Sequence, residues 1–274
     1  MKLKKETNIK LINWIEDIQR NGRITFSLNE VYTHFSSRSK ATLKNSLNRL
    51  VKKGKILSVW KGFYVIIPVE YSSKGIVPPV LYIDDLMRFL NRPYYVSLLS
   101  AAVFYGASHQ WAQTFSVIST SGSLRNSIKK TIKINFTTKK EIANDLIIKK
   151  KTQFGYVSVS SPELTATDLI QYEKKIGGLN RAATVLNDLS NVLKFKKTPS
   201  SLFLQVPAPV FCRLGYLLEK ELGFTKIANE LFEKVYDYKT IFRKTPLKIN
   251  KPTVNCITDK KWNVIVNEQI DIDE

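Results

Sequence analysis

Lys40, Thr42, Lys44, Asn45, Asn48 and Arg49 place amide and cationic side chains on what their spacing predicts to be the outer side of a helix, with Arg38 and Ser39 just ahead of it. These residue types read nucleic acid. Asn pairs with adenine and Arg with guanine through two hydrogen bonds each in the major groove. Asn45 and Arg49 lie four residues apart and so share a face. The lysines are point charges suited to phosphate. Leu43, Leu47 and Leu50 supply an apolar face for the same helix. A basic helix alone is also an ordinary solvated surface, so the argument depends on what surrounds it.

The flanking residues predict the elements that position such a helix. Leu11, Trp14, Ile15 and Ile18 follow i, i+3, i+4, i+7 spacing, and Gly22 ends that first helix. Ile24-Thr25-Phe26 fits a short strand. Ser27-Leu28-Asn29-Glu30 has the form of a capping box opening a second helix with Leu28, Val31, Tyr32 and Phe35 on its inner face. Ser36-Ser37-Arg38 reads as the turn, Ser39 as the N-cap of the third helix, and Gly54 as its C′ residue. Ile56–Trp60 and Phe63–Ile67 then flank Lys61-Gly62, the pattern of a hairpin with Lys61 at its tip, and Pro68 ends the second strand. Three helices followed by a hairpin make a winged helix-turn-helix, which lays its third helix in the major groove.

Charge supports this reading. The 274 residues carry a formal net charge of +20. Residues 1–69 hold fourteen Lys and Arg against four Asp and Glu, so half of the excess sits on one quarter of the chain. A polyanion is the natural partner of such a surface. No apolar run is long enough for a membrane span, and the Lys-rich start lacks the apolar core of a secretory signal. The expectation is a cytoplasmic protein with no membrane partner. Only Cys212 and Cys256 are present, which argues against a disulfide framework.

A second basic strip runs through 125–151: Arg125, Lys129, Lys130, Lys133, Lys139, Lys140, Lys149, Lys150 and Lys151, against Glu141 and Asp145. It fits an extension of a DNA track or an acidic or RNA-binding partner, and somewhat better a set of lysines guarding strand edges. The acidic residues near the end, Glu268, Asp271, Asp273 and Glu274, are placed to screen it.

Catalytic chemistry finds little footing. Two histidines all but exclude a His-based metal site, and Ser108-His109 are adjacent, a poor arrangement for a nucleophile and its base. His109 and Gln110 better suit hydrogen bonding at a helix end. Gly177-Gly178 lacks the Gly-Lys-Ser/Thr ending of a phosphate loop and reads as a turn. Asp84-Asp85 reads as helix-terminal charge. The expectation is no enzyme, no catalytic residue, no metal and no cofactor.

Residues 70–80 carry the Ser, Gly and Pro of a junction. Beyond it, Ile83–Asn91 reads as a short helix and Tyr94–Ala107 as an apolar core helix. Phe115–Ser119, Thr131–Phe136, Leu146–Ile148 and Phe154–Ser158 are strand-like. Helices open at Pro162 and along the stripes Leu179–Leu193, Phe211–Leu222 and Phe224–Val235, and Trp262–Ile272 alternates like a strand. The predicted class is α+β: a winged helix-turn-helix domain at 1–69, a linker at 70–80 and a larger mixed α/β domain at 81–274.

Three segments resemble the AbiEi abortive-infection antitoxins. They are Arg92-Pro-Tyr-Tyr-Val-Ser-Leu-Leu-Ser-Ala-Ala-Val-Phe-Tyr-Gly-Ala-Ser-His-Gln, then Ser161-Pro-Glu-Leu-Thr-Ala-Thr-Asp-Leu-Ile-Gln-Tyr running on to Gly177-Gly-Leu-Asn-Arg-Ala-Ala-Thr-Val-Leu, and the wing Gly62-Phe-Tyr-Val-Ile-Ile-Pro. The resemblance implies an N-terminal winged helix joined to a larger antitoxin domain. It further implies repression of the protein's own operon at promoter inverted repeats, and a nucleotidyltransferase-like toxin neutralised in the type IV manner, without an obligatory stable complex. Arg38 to Arg49 and Lys61 would then form the operator-reading surface. Two other readings remain open from the residues: a ligand-sensing repressor without a toxin, and a nucleic-acid-processing enzyme targeted by the winged helix.

Overall fold

The computed structural model describes residues 10–107, 114–129, 132–238 and 242–272. Ser108, His109, Gln110, Lys130, Asp273, Glu274 and the side chain of Lys129 lie outside the described residues. The fold is α+β.

The chain begins with α1 (Leu11–Arg20), β1 (Thr25–Ser27), α2 (Leu28–His34), α3 (Lys40–Lys52), β2 (Ile56–Trp60) and β3 (Phe63–Ile66). β3 lies between β1 and β2, antiparallel to both. This is the element order and sheet topology of a winged helix-turn-helix. Leu11, Ile15 and Ile18 of α1 meet Phe26, Val31, Phe35, Leu43, Leu47, Ile56, Tyr64 and Ile66 in one apolar core. α4 (Ile83–Phe89) follows. It packs on the same unit: Phe89 lies 5.3 Å from Phe63, ring to ring, and the Thr25 hydroxyl donates to Asp85 at 2.6 Å. Asp84 and Asp85 occupy its first turn, as expected of helix-terminal charge, and both pair with Arg88.

The remaining elements are β4 (Tyr94–Val96), α5 (Leu98–Ala102), β5 (Thr114–Ser119), β6 (Ser127–Lys129), β7 (Ile132–Thr138), β8 (Ile147–Thr152), β9 (Gly155–Ser160), α6 (Pro162–Gln171), α7 (Leu179–Leu189), α8 (Ser200–Gln205), α9 (Ala208–Tyr216), α10 (Thr225–Asp237) and three two-residue strands, β10 (Thr245–Pro246), β11 (Thr258–Asp259) and β12 (Val264–Ile265). Six strands bond in the order β6-β7-β5-β4-β9-β8. β4 is antiparallel to β5 and parallel to β9. Helices α5, α6, α7, α9 and α10 share one core with this sheet, in which Tyr95, Leu169, Leu186, Phe211, Leu214, Leu231 and Trp262 are buried.

Two compact units result. The first comprises 1–93, 125–135 and 150–157; the second comprises 94–124, 136–149 and 158–274. The first thus runs through the stretch at 70–80, where Val77 and Pro79 are buried.

Two expected elements differ. Tyr94–Ala107 is not one helix: it opens as strand β4 and turns into the short α5 at Leu98, whose φ of 55° makes a sharp corner. Tyr94 to Leu98 are all buried and the rest of the run is largely apolar, so the pattern lacks a polar stripe that would distinguish helix from strand. Trp262–Ile272 is not a long strand either. Only Val264–Ile265 pair, because Trp262 turns inward against Gly215 of α9.

Candidate nucleic-acid interface

The third helix is built by local signals. The Ser39 hydroxyl accepts from the Thr42 amide at 3.1 Å and caps the N-terminus. At the other end Gly54, with φ of 66°, lets its own amide reach the Val51 carbonyl and the Lys55 amide reach Leu50, each at 3.0 Å. Leu43 and Leu47 are buried beneath. α2 opens with the full capping box, Ser27 amide to Glu30 carboxylate at 2.7 Å and Glu30 amide to Ser27 hydroxyl at 3.2 Å. Burial pushes the Glu30 carboxyl up, but bonds from Arg23 and Ser27 outweigh it and hold the group below its ordinary value.

Lys40, Thr42, Lys44, Asn45, Asn48 and Arg49 all point to solvent. Asn45, Asn48 and Arg49 line one shallow depression together with Val51 and Lys52. Lys52 was not among the residues expected from the sequence, although its place at i+7 from Asn45 continues the stripe that Asn48 and Arg49 fill at i+3 and i+4. The stripe therefore runs nearly two turns and offers two amides and two cations.

The residues at the front of α3 are more committed. The hydroxyls of Ser39 and Thr42 lie 2.8 Å apart and bond to one another. Arg38 is half-buried, its guanidinium 5.1 Å above the Phe35 ring, and the Lys40 ammonium lies 5.4 Å from the Tyr32 ring. Such contacts fix long side chains at a gain of about 0.5–1 kcal/mol each.

The wing is a two-residue loop. Trp60 pairs with Phe63, leaving Lys61 exposed at the tip beside Gly62, whose φ is 78°. The Gly62 carbonyl accepts from the Leu28 amide at 2.8 Å, which ties the wing to the start of α2.

The residues of the 125–151 strip fall in both compact units. Arg125 and Lys133 are exposed in the first unit, with Lys151 exposed and Lys150 half-buried; Lys140 and Lys149 are exposed in the second. Lys149 donates to Ser158 at 2.8 Å. Lys139 is a correction to the expected basic surface. Its side chain is 10% exposed and turns inward, its ammonium 3.5 Å from Asp168 and 3.4 Å from the Tyr95 hydroxyl. Tyr95 itself donates to Asp168 at 2.8 Å. Burial pushes the Asp168 carboxyl above its ordinary value, against the opposing pull of Lys139 and Tyr95. The Tyr95 hydroxyl is pushed up by burial and by Asp168 beside it. Glu268, near the acidic end, pairs with Lys251 at 2.5 Å.

Gly177 and Gly178 form the expected turn, with φ of 105° and 103°, leading into α7.

A three-helix unit with a three-stranded sheet thus shares a chain with a larger α/β unit. Residues 95–220 match the family model of the AbiEi antitoxin C-terminal domain. That match covers just under half of the chain and falls mostly in the second unit, which is therefore similar to the antitoxin domain of an abortive-infection system. The structure is also similar to the crystal structure of the RV2827C protein from Mycobacterium tuberculosis, over 92% of this chain and 89% of that one, with a TM-score of 0.67. At 14% identity this likeness is one of fold. No curated protein matches the sequence.

Proposed function

We propose that this protein is an AbiEi-type antitoxin that also represses its own operon, binding inverted repeats in the promoter through α3 and the wing, and that its partner is a nucleotidyltransferase-like toxin neutralised in the type IV manner. The observation that carries the DNA reading is the exposed stripe Asn45, Asn48, Arg49 and Lys52 on a helix whose other side is locked by Leu43 and Leu47. Asn45 and Arg49 contact base edges; Lys40, Lys44, Lys52 and Lys61 contact phosphate. Neutralisation belongs to the unit that carries the antitoxin domain. The protein works in the cytoplasm, where the operon and the toxin are.

The test uses the full chain. Lys40→Ala, Lys44→Ala and Arg49→Ala together are expected to weaken binding to a duplex from the protein's own promoter by about two orders of magnitude at physiological salt. The same variant is expected to rescue growth from the co-expressed toxin as well as the parent chain does. Unchanged affinity in a gel shift overturns the operator surface, and loss of rescue overturns the division of labour.

A further inference from the structure

We propose that the β6–β7 hairpin is a second DNA-contacting element, with Arg125 and Lys133 gripping the phosphate backbone beside the segment that α3 reads. This rests on the reading that α3 and the wing bind duplex DNA. The Ser127 hydroxyl donates to the Val59 carbonyl at 3.1 Å, fastening β6 to the wing strand two residues before Lys61. Ser127 pairs with Ile134 across the hairpin, and Ile128 with Lys133. Strands advance about 3.3 Å per residue. Arg125 and Lys61 therefore each lie about 7 Å along the chain from that contact, and Lys133 is adjacent to the residue opposite Ser127. A duplex presents one charge per about 1.7 Å of its axis. A duplex that reaches Lys61 passes several phosphates within this span.

Edge protection does not explain Lys133. Lysines on an outer strand discourage edge pairing, which suits Lys149, Lys150 and Lys151 on β8, the outermost strand on that side. β7 is paired on both sides, by β6 and by β5. Its Lys133 is exposed on a strand with no open edge, in the same compact unit as α3 and the wing.

Salt dependence tests this. Anisotropy titrations of the full chain with a labelled promoter duplex give the slope of log affinity against log salt. Arg125→Ala with Lys133→Ala is expected to reduce that slope by about 1.8 and to weaken binding about 10- to 30-fold at 0.15 M salt, equally on promoter and scrambled duplexes. Arg125→Lys with Lys133→Arg is expected to retain both slope and affinity. Lys196→Ala with Lys197→Ala removes the same charge from an exposed turn of the second unit and is expected to leave the slope unchanged. An unchanged slope in the hairpin variant, or an equal fall in the Lys196/Lys197 control, overturns the hairpin contact while leaving α3 in place. A parent chain that binds no duplex overturns the reading on which it rests.

Discussion

Asp168 shows how a single carboxylate constrains its surroundings. It is fully buried, and Lys139 and Tyr95 are the groups that balance it. Removing one partner of a buried ion pair leaves an uncompensated charge and costs about 3–5 kcal/mol, whereas replacing both is often close to neutral. Lys139→Met is therefore expected to destabilise the chain by that amount in urea unfolding, and Lys139→Met with Asp168→Asn to recover most of it. Glu219 gives the opposite case. Burial raises its pKa, but hydrogen bonds from Lys220, Lys261 and the Trp262 indole outweigh that and hold the carboxyl down at about 2. A depressed carboxyl stabilises the fold above its unfolded value and loses that contribution as pH falls toward its folded value. The gap in melting temperature between the parent and Glu219→Gln is thus expected to be full at pH 6 and to shrink between about pH 4.5 and pH 2. A gap independent of pH would show that the Lys261 and Trp262 bonds do not act through charge.

Among the elements, α2 and α3 owe their limits to caps, and caps are local. Ser27→Ala removes one arm of the box and is expected to cost about 1 kcal/mol, read as a lower urea midpoint with unchanged slope. α9 and the segment after β11 depend instead on a distant fit. A methyl group at Gly215 would sit 2.1 Å from the Trp262 ring. Gly215→Ala is expected to cost more than about 3 kcal/mol or to prevent folding, since neither helix backbone nor buried indole can yield. The same contrast explains which features the sequence disclosed. Ser27, Ser39 and Gly54 bond within six residues of themselves and Lys61-Gly62 turns between adjacent strands, so these elements and the exposed α3 face could be read directly. Lys139 could not, because its partner Asp168 lies 29 positions away and only the fold brings them together. β4 was hidden by uniform burial, and the short strands β10 to β12 pair too briefly to leave a period. Lys52 has the right spacing, but Lys53 and Lys55 beside it carry the same charge and mask its register.

At the scale of the molecule, the first unit is assembled from three stretches of chain, and its later pieces are held by named bonds: Ser127 to Val59 and Gln153 to Glu70. Its winged-helix core is nevertheless built within residues 11–66. A fragment of residues 1–93 is accordingly expected to unfold cooperatively, yet to exchange the amide protons of β2 faster than the intact chain does. Equal protection of β2 in fragment and full chain would mean that the later stretches contribute nothing to it.

Under the proposed operator reading, building the first unit from three stretches of chain limits how its target can change over generations. A crossover that swapped residues 1–69 for a different reader would strand the stretches around Ser127 and Gln153, still shaped for a surface no longer there. Point changes at Asn45, Asn48, Arg49 or Lys52 disturb no such fit. On the proposed reading, new DNA preferences are therefore expected to arise by substitution along α3 rather than by exchange of whole modules.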